Sequence, residues 1–391
     1  MLSQRQLFLN HVAQTSETPL ALEIEKAEGV YLYDTTGKKY LDLISGISVS
    51  NVGHRHPAVV TAIKNQVDKY MHLMVYGEYI QSPQVNLAKA LSDVLPENLS
   101  AVYFVNSGSE AIEGALKLAK RYTGRTEIIS FKNAYHGSTH GSLSIMGSEE
   151  FKNAYRPLLP ETKQIEFNVI ENLKEITNKT ACVVVETIQG EAGAIVPQNN
   201  FLMALRKRCS EVGALLIADE IQCGFGRTGK LFAFEHYNFV PDILCMAKGM
   251  GGGMPIGAFV SSQKIMSTLS NNPILGHITT FGGHPVSCAA SLATLTVILN
   301  EKLVESVLEK ESLFRQCLVN PKIKSIHGKG LLLAIEFESY EENKRIIDKC
   351  IEDGVITDWF LFNSHSMRIA PPLTITKEEI KQACSIILAA I

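Results

Sequence analysis

A single lysine ends an apolar run, Asp242-Ile-Leu-Cys-Met-Ala-Lys248, and leads directly into Gly249-Met-Gly-Gly-Gly253. If the run is a buried strand, the ammonium emerges at its carboxyl end, the edge where open α/β sheets collect ligands, and the glycines allow backbone or cofactor to come close. Desolvation or a nearby cation lowers a lysine from its usual value of about 10.4 and frees the amine to condense with an aldehyde. A second apolar run, Ala214-Leu-Leu-Ile-Ala-Asp219-Glu220, ends in a carboxylate. Lysine and aspartate together point to pyridoxal phosphate. Held on lysine as a Schiff base, that cofactor withdraws electrons only while its ring nitrogen is protonated, and a buried Asp beside the nitrogen favours the proton.

Such a site needs a phosphate anchor, and Ala101-Val-Tyr-Phe-Val-Asn-Ser107-Gly-Ser-Glu110 offers one, an apolar run that turns through small residues into a helical pattern. Ser107 and Glu110 have capping-box spacing, Ile112, Ala115, Leu116 and Ala119 share one helical face, and Glu113 stands four residues before Lys117, an order that favours an ion pair. The N–H groups of Gly108 and Ser109, with the helix dipole, would hold a phosphate without a dedicated lysine. Two further runs have the same form: Glu127-Ile-Ile-Ser-Phe before Tyr135-His136-Gly137, and Ala181-Cys-Val-Val-Val185 before Glu186 and Glu191. Five strands therefore end in polar or aromatic residues, and in a mostly parallel sheet those ends face one crevice, where Tyr135 could lie against a planar ring. Taken singly, Asp219 reads as a helix cap, Lys248 as a solvated strand end, Tyr135 as core, and Glu191 with Arg368 as a structural pair. Their joint order carries the functional reading.

These segments resemble the class III aminotransferases, the pyridoxal-phosphate group that contains ornithine, acetylornithine and 4-aminobutyrate aminotransferases. The resemblance runs from about Ala21 to the end, through Gly53-His-Arg-His-Pro57, Asn106-Ser-Gly-Ser-Glu110, Tyr135-His-Gly137, Glu186-Thr-Ile-Gln-Gly-Glu-Ala-Gly193, Asp219-Glu-Ile-Gln-Cys-Gly-Phe-Gly-Arg-Thr-Gly229, Ala247-Lys248-Gly249, Thr279-Thr-Phe-Gly-Gly283 and Met367-Arg-Ile-Ala-Pro-Pro372. It implies an α/β, fold-type-I transferase with a large, mostly parallel sheet of the seven-stranded type and a smaller α+β domain formed by both termini. The implied division is 1–50, 51–285 and 286–391. It further implies that Lys248 carries the cofactor and shuttles the proton of a 1,3-transfer, and that Asp219 pairs with the pyridinium. Ser107, Gly108 and Ser109 would hold the phosphate, Tyr135 and His136 would lie at the ring, and Gln222 near the phenolic oxygen. Thr280 would reach the phosphate of a neighbouring subunit, which makes the expected assembly a homodimer. Arg368 would pair with Glu191 while a donor lacking a nearby α-carboxylate is bound, then turn to a 2-oxo acid such as 2-oxoglutarate; an exposed pair would make that exchange cheap.

The chain departs from the pattern at Ser138, where ornithine and 4-aminobutyrate members carry an arginine that clamps the substrate's distant carboxylate. A serine offers no cationic fork. Either another residue does this work, with Arg55 as candidate, or the donor has no carboxylate there. Ile47 stands where ornithine-specific members have tyrosine and 4-aminobutyrate members isoleucine, which favours 4-aminobutyrate-like or acetylated donors over free ornithine, and His284 replaces the usual asparagine after Phe-Gly-Gly. A ping-pong transamination is the expected reaction. An aminomutase, or a transaminase of amines or β-amino acids, is the alternative within the family. A P-loop nucleotide-binding module is the reading from another class: Gly224-Phe-Gly-Arg-Thr-Gly229-Lys230 matches most of that motif, yet Leu231 stands where the magnesium-binding Ser or Thr belongs.

The elements that must position these residues follow from patterning. Val30 to Tyr33 and Lys38 to Leu43 read as a hairpin with its turn at Asp34 to Gly37; strand and helix patterns alternate over about 50 to 285; a long helix begins near Val286; and Thr376 to Glu379 open the last helix with a capping box. With 391 residues, 46% hydrophobic and 20% charged, the chain can bury a large core, and a net charge of −3 without a basic block argues against nucleic acid as a partner. No apolar run reaches membrane length and the polar start lacks a signal-peptide pattern, so a cytoplasmic protein without a membrane partner is expected. Eight scattered cysteines without Cys-x-x-Cys read as reduced packing residues, and His136 with His140, flanking Gly137 without a third ligand, do not read as a metal site.

Overall fold

Seven strands between Ala101 and Ser261, most of them apolar runs, pair into one sheet, as shown by the computed structural model, which describes residues 2–391. Its strands are β1 (Ala101–Val105), β2 (Glu127–Phe131), β3 (Thr162–Ile165), β4 (Thr180–Glu186), β5 (Leu215–Asp219), β6 (Ile243–Met246) and β7 (Gly257–Ser261). They lie in the order β1-β7-β6-β5-β4-β2-β3, with β7 antiparallel to both its neighbours and the others parallel. A parallel sheet is covered on both faces, which is why β4, β5 and β6 read as unbroken apolar runs and are buried along their whole length. Alternate residues serve opposite faces: Cys182, Val184 and Ile217 pack beneath the helix Gly108–Thr123, while Val183, Val185 and Leu216 join the main core on the other side. Each such side chain contributes about 1.5–3 kcal/mol on burial. The strands are thereby held too firmly for their ends to drift.

The helix Gly108–Thr123 buries Ile112, Ala115, Leu116 and Ala119 as its spacing predicts. The polar face differs from expectation. Lys117 turns to His277 Nδ1 at 3.0 Å, and Glu113 instead accepts from Thr139, Gly141 and Ser142. Three donors on a neighbouring loop outweigh one solvent-exposed helix pair, worth about 0.3–0.5 kcal/mol. The capping box forms by half: Ser107 Oγ accepts from Glu110 N at 3.2 Å, but the Glu110 carboxylate reaches past Ser107 to Asn106 N at 2.7 Å.

The hairpin Tyr31–Asp34 and Lys39–Asp42 forms as read, and its second strand pairs in parallel with Val355–Ile356, so one four-stranded sheet joins the beginning of the chain to its end. A second, antiparallel four-stranded sheet contains Leu332–Glu336 and Asn363–Ile369, the strand that carries Arg368. The last helix, Lys377–Ala390, starts with the Thr376–Glu379 capping box. The helix Pro285–Asn300 lies against the helices Pro57–Val67 and Ser82–Val94. Among the described residues no single helix is long and apolar enough to cross a membrane.

Candidate active site

The register of the central strands sets the floor of a cavity of about 420 Å³. Glu186 ends β4 directly opposite Asp219 at the end of β5, and Asp219 pairs with Cys245 near the end of β6. Beyond β6 the chain turns sharply at Lys248, which holds φ at +48°. A bulky L-residue rarely adopts that left-handed conformation, and such local strain persists where surrounding packing fixes the chain. The side chain lines the cavity, as does Asp219. Burial lowers the Lys248 pKa, with Glu191 pulling the other way and Arg368 adding to the depression. The amine is correspondingly easier to deprotonate.

Asp219 is buried and divided between two partners. Oδ2 lies 2.7 Å from His136 Nδ1, and Oδ1 accepts from Ile221 N at 3.0 Å. An ionised carboxylate can only accept, so this contact requires the proton on His136 Nδ1. Glu186, which the sequence does not mark as a site residue, lines the same cavity and accepts from Tyr135 N and Gly190 N, each at 2.7 Å. Burial pushes its carboxyl up to about 7, with His136 opposing and Asp219 reinforcing the shift. Its position was legible only through register, because nothing in the sequence of β4 states which residue of β5 it will face.

Ser107, Gly108 and Ser109 form one wall at the helix start. The N–H groups of Gly108 and Ser109 have no acceptor among the described residues. Gly137, at φ +127°, passes so near this wall that a Cβ there would fall 2.1 Å from Ser109 Oγ, so the Tyr135–Ser138 loop can close over the helix only with glycine. Amine, carboxylate and helix N-terminus thus converge on one cavity, and the buried His136 Nε2 has no partner. This donor set fits pyridoxal phosphate: Lys248 would take its aldehyde, Asp219 would face its ring nitrogen and the helix start would hold its phosphate.

The Arg368–Glu191 pair is present but its setting corrects the expectation of an exposed pair. Both residues are buried, with Nη1 to Oε1 and Nη2 to Oε2 each at 2.9 Å. Asp358 Oδ1 accepts from Arg368 Nε at 2.8 Å, Phe360 lies under the guanidinium, and Leu361 N donates to Glu191 Oε2 at 3.1 Å. Burial works against both charges; Arg368 nevertheless holds Glu191 below its ordinary pKa, and Glu191 with Asp358 holds Arg368 above its own. Removing one partner of a buried pair costs about 3–5 kcal/mol. Exchange of Glu191 is therefore cheap only if an incoming carboxylate takes its place.

Other candidates are distributed unevenly. Gln222 lines the cavity and reaches Glu191 at 3.5 Å. Ile47 sits on a left-handed turn packed against the Lys248–Gly251 segment, and Val49, rather than Ile47, lines the cavity. Arg55 is exposed, beside Glu28 and outside the lining, so the structure does not bring it to the place left by Ser138. Ser138 is itself exposed, its Oγ 3.2 Å from the Tyr135 hydroxyl. Thr280 is exposed and outside the lining, while Thr279 Oγ1 accepts from Asn106. His284 stacks on His72 ahead of the helix Pro285–Asn300. The Gly224–Gly229 run lies in successive turns followed by a short 3-10 turn, Ala233–His236, so no long helix starts behind it and the P-loop reading falls. Among the described residues no cluster of His, Cys, Asp or Glu can hold a metal ion.

The family model for aminotransferase class III matches residues 12–391. An acetylornithine aminotransferase from Methanopyrus kandleri is 38% identical over 378 residues, 95% of this chain and 94% of that protein. The solved ornithine aminotransferase of Toxoplasma gondii, described with partial occupancy of pyridoxal phosphate at its active site, superposes with a TM-score of 0.91 at 30% identity, covering 98% of this chain and 92% of that one. An amine transaminase from an uncultivated Pseudomonas species, solved with pyridoxal phosphate bound, gives a TM-score of 0.90 at 27% identity over 97% of each chain.

The raised Glu186 pKa has a signed consequence for the cofactor-free protein. Its folded value of about 7 lies above the model-peptide value of 4.5, so the folded state binds the extra proton and stability falls as pH rises from about 4.5 to about 7. Glu186→Gln removes that titration. Its melting temperature relative to the parent should therefore improve between pH 5 and pH 8; a difference that is flat or falling across this range contradicts the assignment.

Proposed function

The chain belongs to the class III aminotransferases, and on that premise we propose that it transfers the amino group of an ω-amino donor, 4-aminobutyrate-like or acetylornithine-like, to 2-oxoglutarate in a ping-pong sequence. Pyridoxal 5'-phosphate is the cofactor of this transaminase. The observation that carries the reading is the convergence of Lys248, Asp219 and the free helix start on one cavity, with Arg368 and Glu191 close enough to shift the lysine's pKa.

The cofactor, when bound, supplies an electron sink for the carbon that loses its proton. Lys248 is the group that takes up and returns that proton, and its lowered pKa makes the neutral, proton-accepting amine easier to reach. Asp219, fixed by His136 and Ile221 N, holds a proton on the ring nitrogen. Arg368 offers a bidentate fork to the α-carboxylate of the oxo acid, displacing Glu191. Glu191 restores neutrality around Arg368 when the donor brings no carboxylate to that point.

Donor choice turns on Ser138. Lys248 is the one cation lining the cavity among the described residues, which supports a second reading, a donor with no carboxylate at the Ser138 end, such as an amine or β-amino acid. The likeness to acetylornithine aminotransferase favours the first.

A homodimer with Thr280 reaching the partner's phosphate is part of the proposal. Ile80 and Ile274 are 96% and 77% exposed, and Met71, Tyr79 and Phe281 are also exposed in the same two neighbouring segments, which His72 and Phe281 bring together. An apolar surface of this kind suits a second copy of the chain. Eight unpaired cysteines, seven of them buried, suit a reducing, cytoplasmic setting.

Initial rates measured against both substrates should give parallel double-reciprocal lines, with acetylornithine or 4-aminobutyrate preferred over ornithine; turnover without any oxo acid would replace transamination by an aminomutase reaction. Lys248→Ala should bind the cofactor yet lose the absorption of the lysine-bound form and nearly all turnover, and substantial transamination by it would sink the assignment. Ser138→Arg should lower the KM for 4-aminobutyrate about ten- to a hundredfold, the worth of one charged hydrogen bond at about 1.5–3 kcal/mol; an unchanged KM would mean that the carboxylate is held elsewhere.

A further inference from the structure

Arg227 is among the largest fully buried side chains in the chain, and no carboxylate pairs with it. Its guanidinium donates to Leu331 O at 3.0 Å, to Pro371 O and to Asn51 Oδ1, and its Nε is buried without a partner. Burial lowers its pKa to about 9, with Asp42 opposing, so the group stays cationic at neutral pH. A buried cation without a counter-ion is a poor way to gain stability compared with an apolar side chain of similar volume. Packing alone does not account for an arginine here.

Its acceptors belong to the segments that carry the two ends of the active site. Pro371 follows Arg368 closely, and the stretch beyond Arg368 is stitched to the N-terminal segment: Ala370 N donates to Leu43 O at 2.7 Å, Ser45 Oγ to Ala370 O at 2.7 Å, and Leu373 N to Asn51 O at 2.8 Å. Asn51 donates Nδ2 to Phe225 O at 2.9 Å. Its amide lies directly against the residue after Lys248, because a Cβ on Gly249 would fall 2.5 Å from Asn51 Nδ2. With Oδ1 facing Arg227, the amide is held with Nδ2 towards Phe225 and Gly249, and it cannot flip without losing both bonds. Leu331 N closes the arrangement by donating to Arg227 O at 2.9 Å.

We propose that Arg227 is a positioning residue with two arms: through Asn51 it fixes the strained backbone at Lys248, and through Pro371 it fixes the strand end that presents Arg368. The proposal rests on the roles given above to Lys248 and Arg368. Only a planar fork with several donors can serve these acceptors at once. A lysine is a point charge on a flexible stem and leaves buried carbonyls unpaired.

The test uses the cofactor-loaded protein and two readouts that do not depend on turnover. One is the pH midpoint of the visible band, which reports on Lys248; the other is the Kd of glutarate, an unreactive dicarboxylate that reports on Arg368. Arg227→Lys should weaken glutarate about tenfold, the scale of a modest misplacement of a binding group, and shift the midpoint by roughly half a unit. Asn51→Ala cuts only the first arm, so it should shift the midpoint while leaving the glutarate Kd within about twofold. Loss of thermal stability with both readouts unmoved would make Arg227 merely structural and overturn the proposal. If Arg227→Lys does not fold, Asn51→Ala decides alone, and an unshifted midpoint overturns it. A parent protein with no visible band or no glutarate binding would instead overturn the functional reading on which the proposal stands.

Discussion

The alignment of three parallel strand ends is the constraint on which the site depends. Glu186, Asp219 and Cys245 are register neighbours across β4, β5 and β6, and Lys248 follows from the last of these. Period-two packing penalises any slip, because moving one strand by a residue would turn its buried face over and carry its terminal carboxylate with it. The apolar strands therefore locate the polar groups of the cavity. The polar residues at their ends could not choose such positions by themselves, since each carboxylate there is buried against its solvation preference.

Around the cavity charge is answered, whereas Arg227 is met by neutral acceptors alone. Arg368 is answered twice, by Glu191 and Asp358, with Phe360 beneath it. Asp219 is answered by His136 and a backbone N–H, and Glu186 by two backbone N–H groups. Lys248 has the least direct compensation, and the lowering of its pKa is the chemical result. Since the guanidinium cannot be left bare, the proposed exchange needs two partners for one cation, Glu191 as found here and a substrate carboxylate in its place. That is a physical basis for accepting two unlike substrates at one place.

Groups that end apolar runs were legible in the sequence, because a run that stops at Lys248, Asp219 or Ser107 has few ways to fold. Groups whose role depends on a distant neighbour were not. Glu113 pairs with Lys117 by local spacing, yet the loop at Thr139–Ser142 captures it. Arg55 carries the right charge in the wrong place, and Ile47 sits on a left-handed turn that leaves Val49 to line the cavity. The Glu191–Arg368 pair could be named from resemblance, but its burial and its third partner, Asp358, follow from the packing of a hairpin near the end of the chain. Arg227 was visible only as one letter of a glycine-rich run, and its meaning lies in what three separated segments offer it.

The central claim is that Lys248 and the neighbouring Glu191–Arg368 pair together serve both halves of an amino-group exchange. The most direct measurement is the visible spectrum of the cofactor-loaded protein as acetylornithine, 4-aminobutyrate or a simple amine is added without any oxo acid, followed by 2-oxoglutarate. The account predicts that a donor bleaches the yellow band in a single turnover and that 2-oxoglutarate restores it. A band that no donor bleaches, or a bleached protein that 2-oxoglutarate leaves colourless, would contradict it.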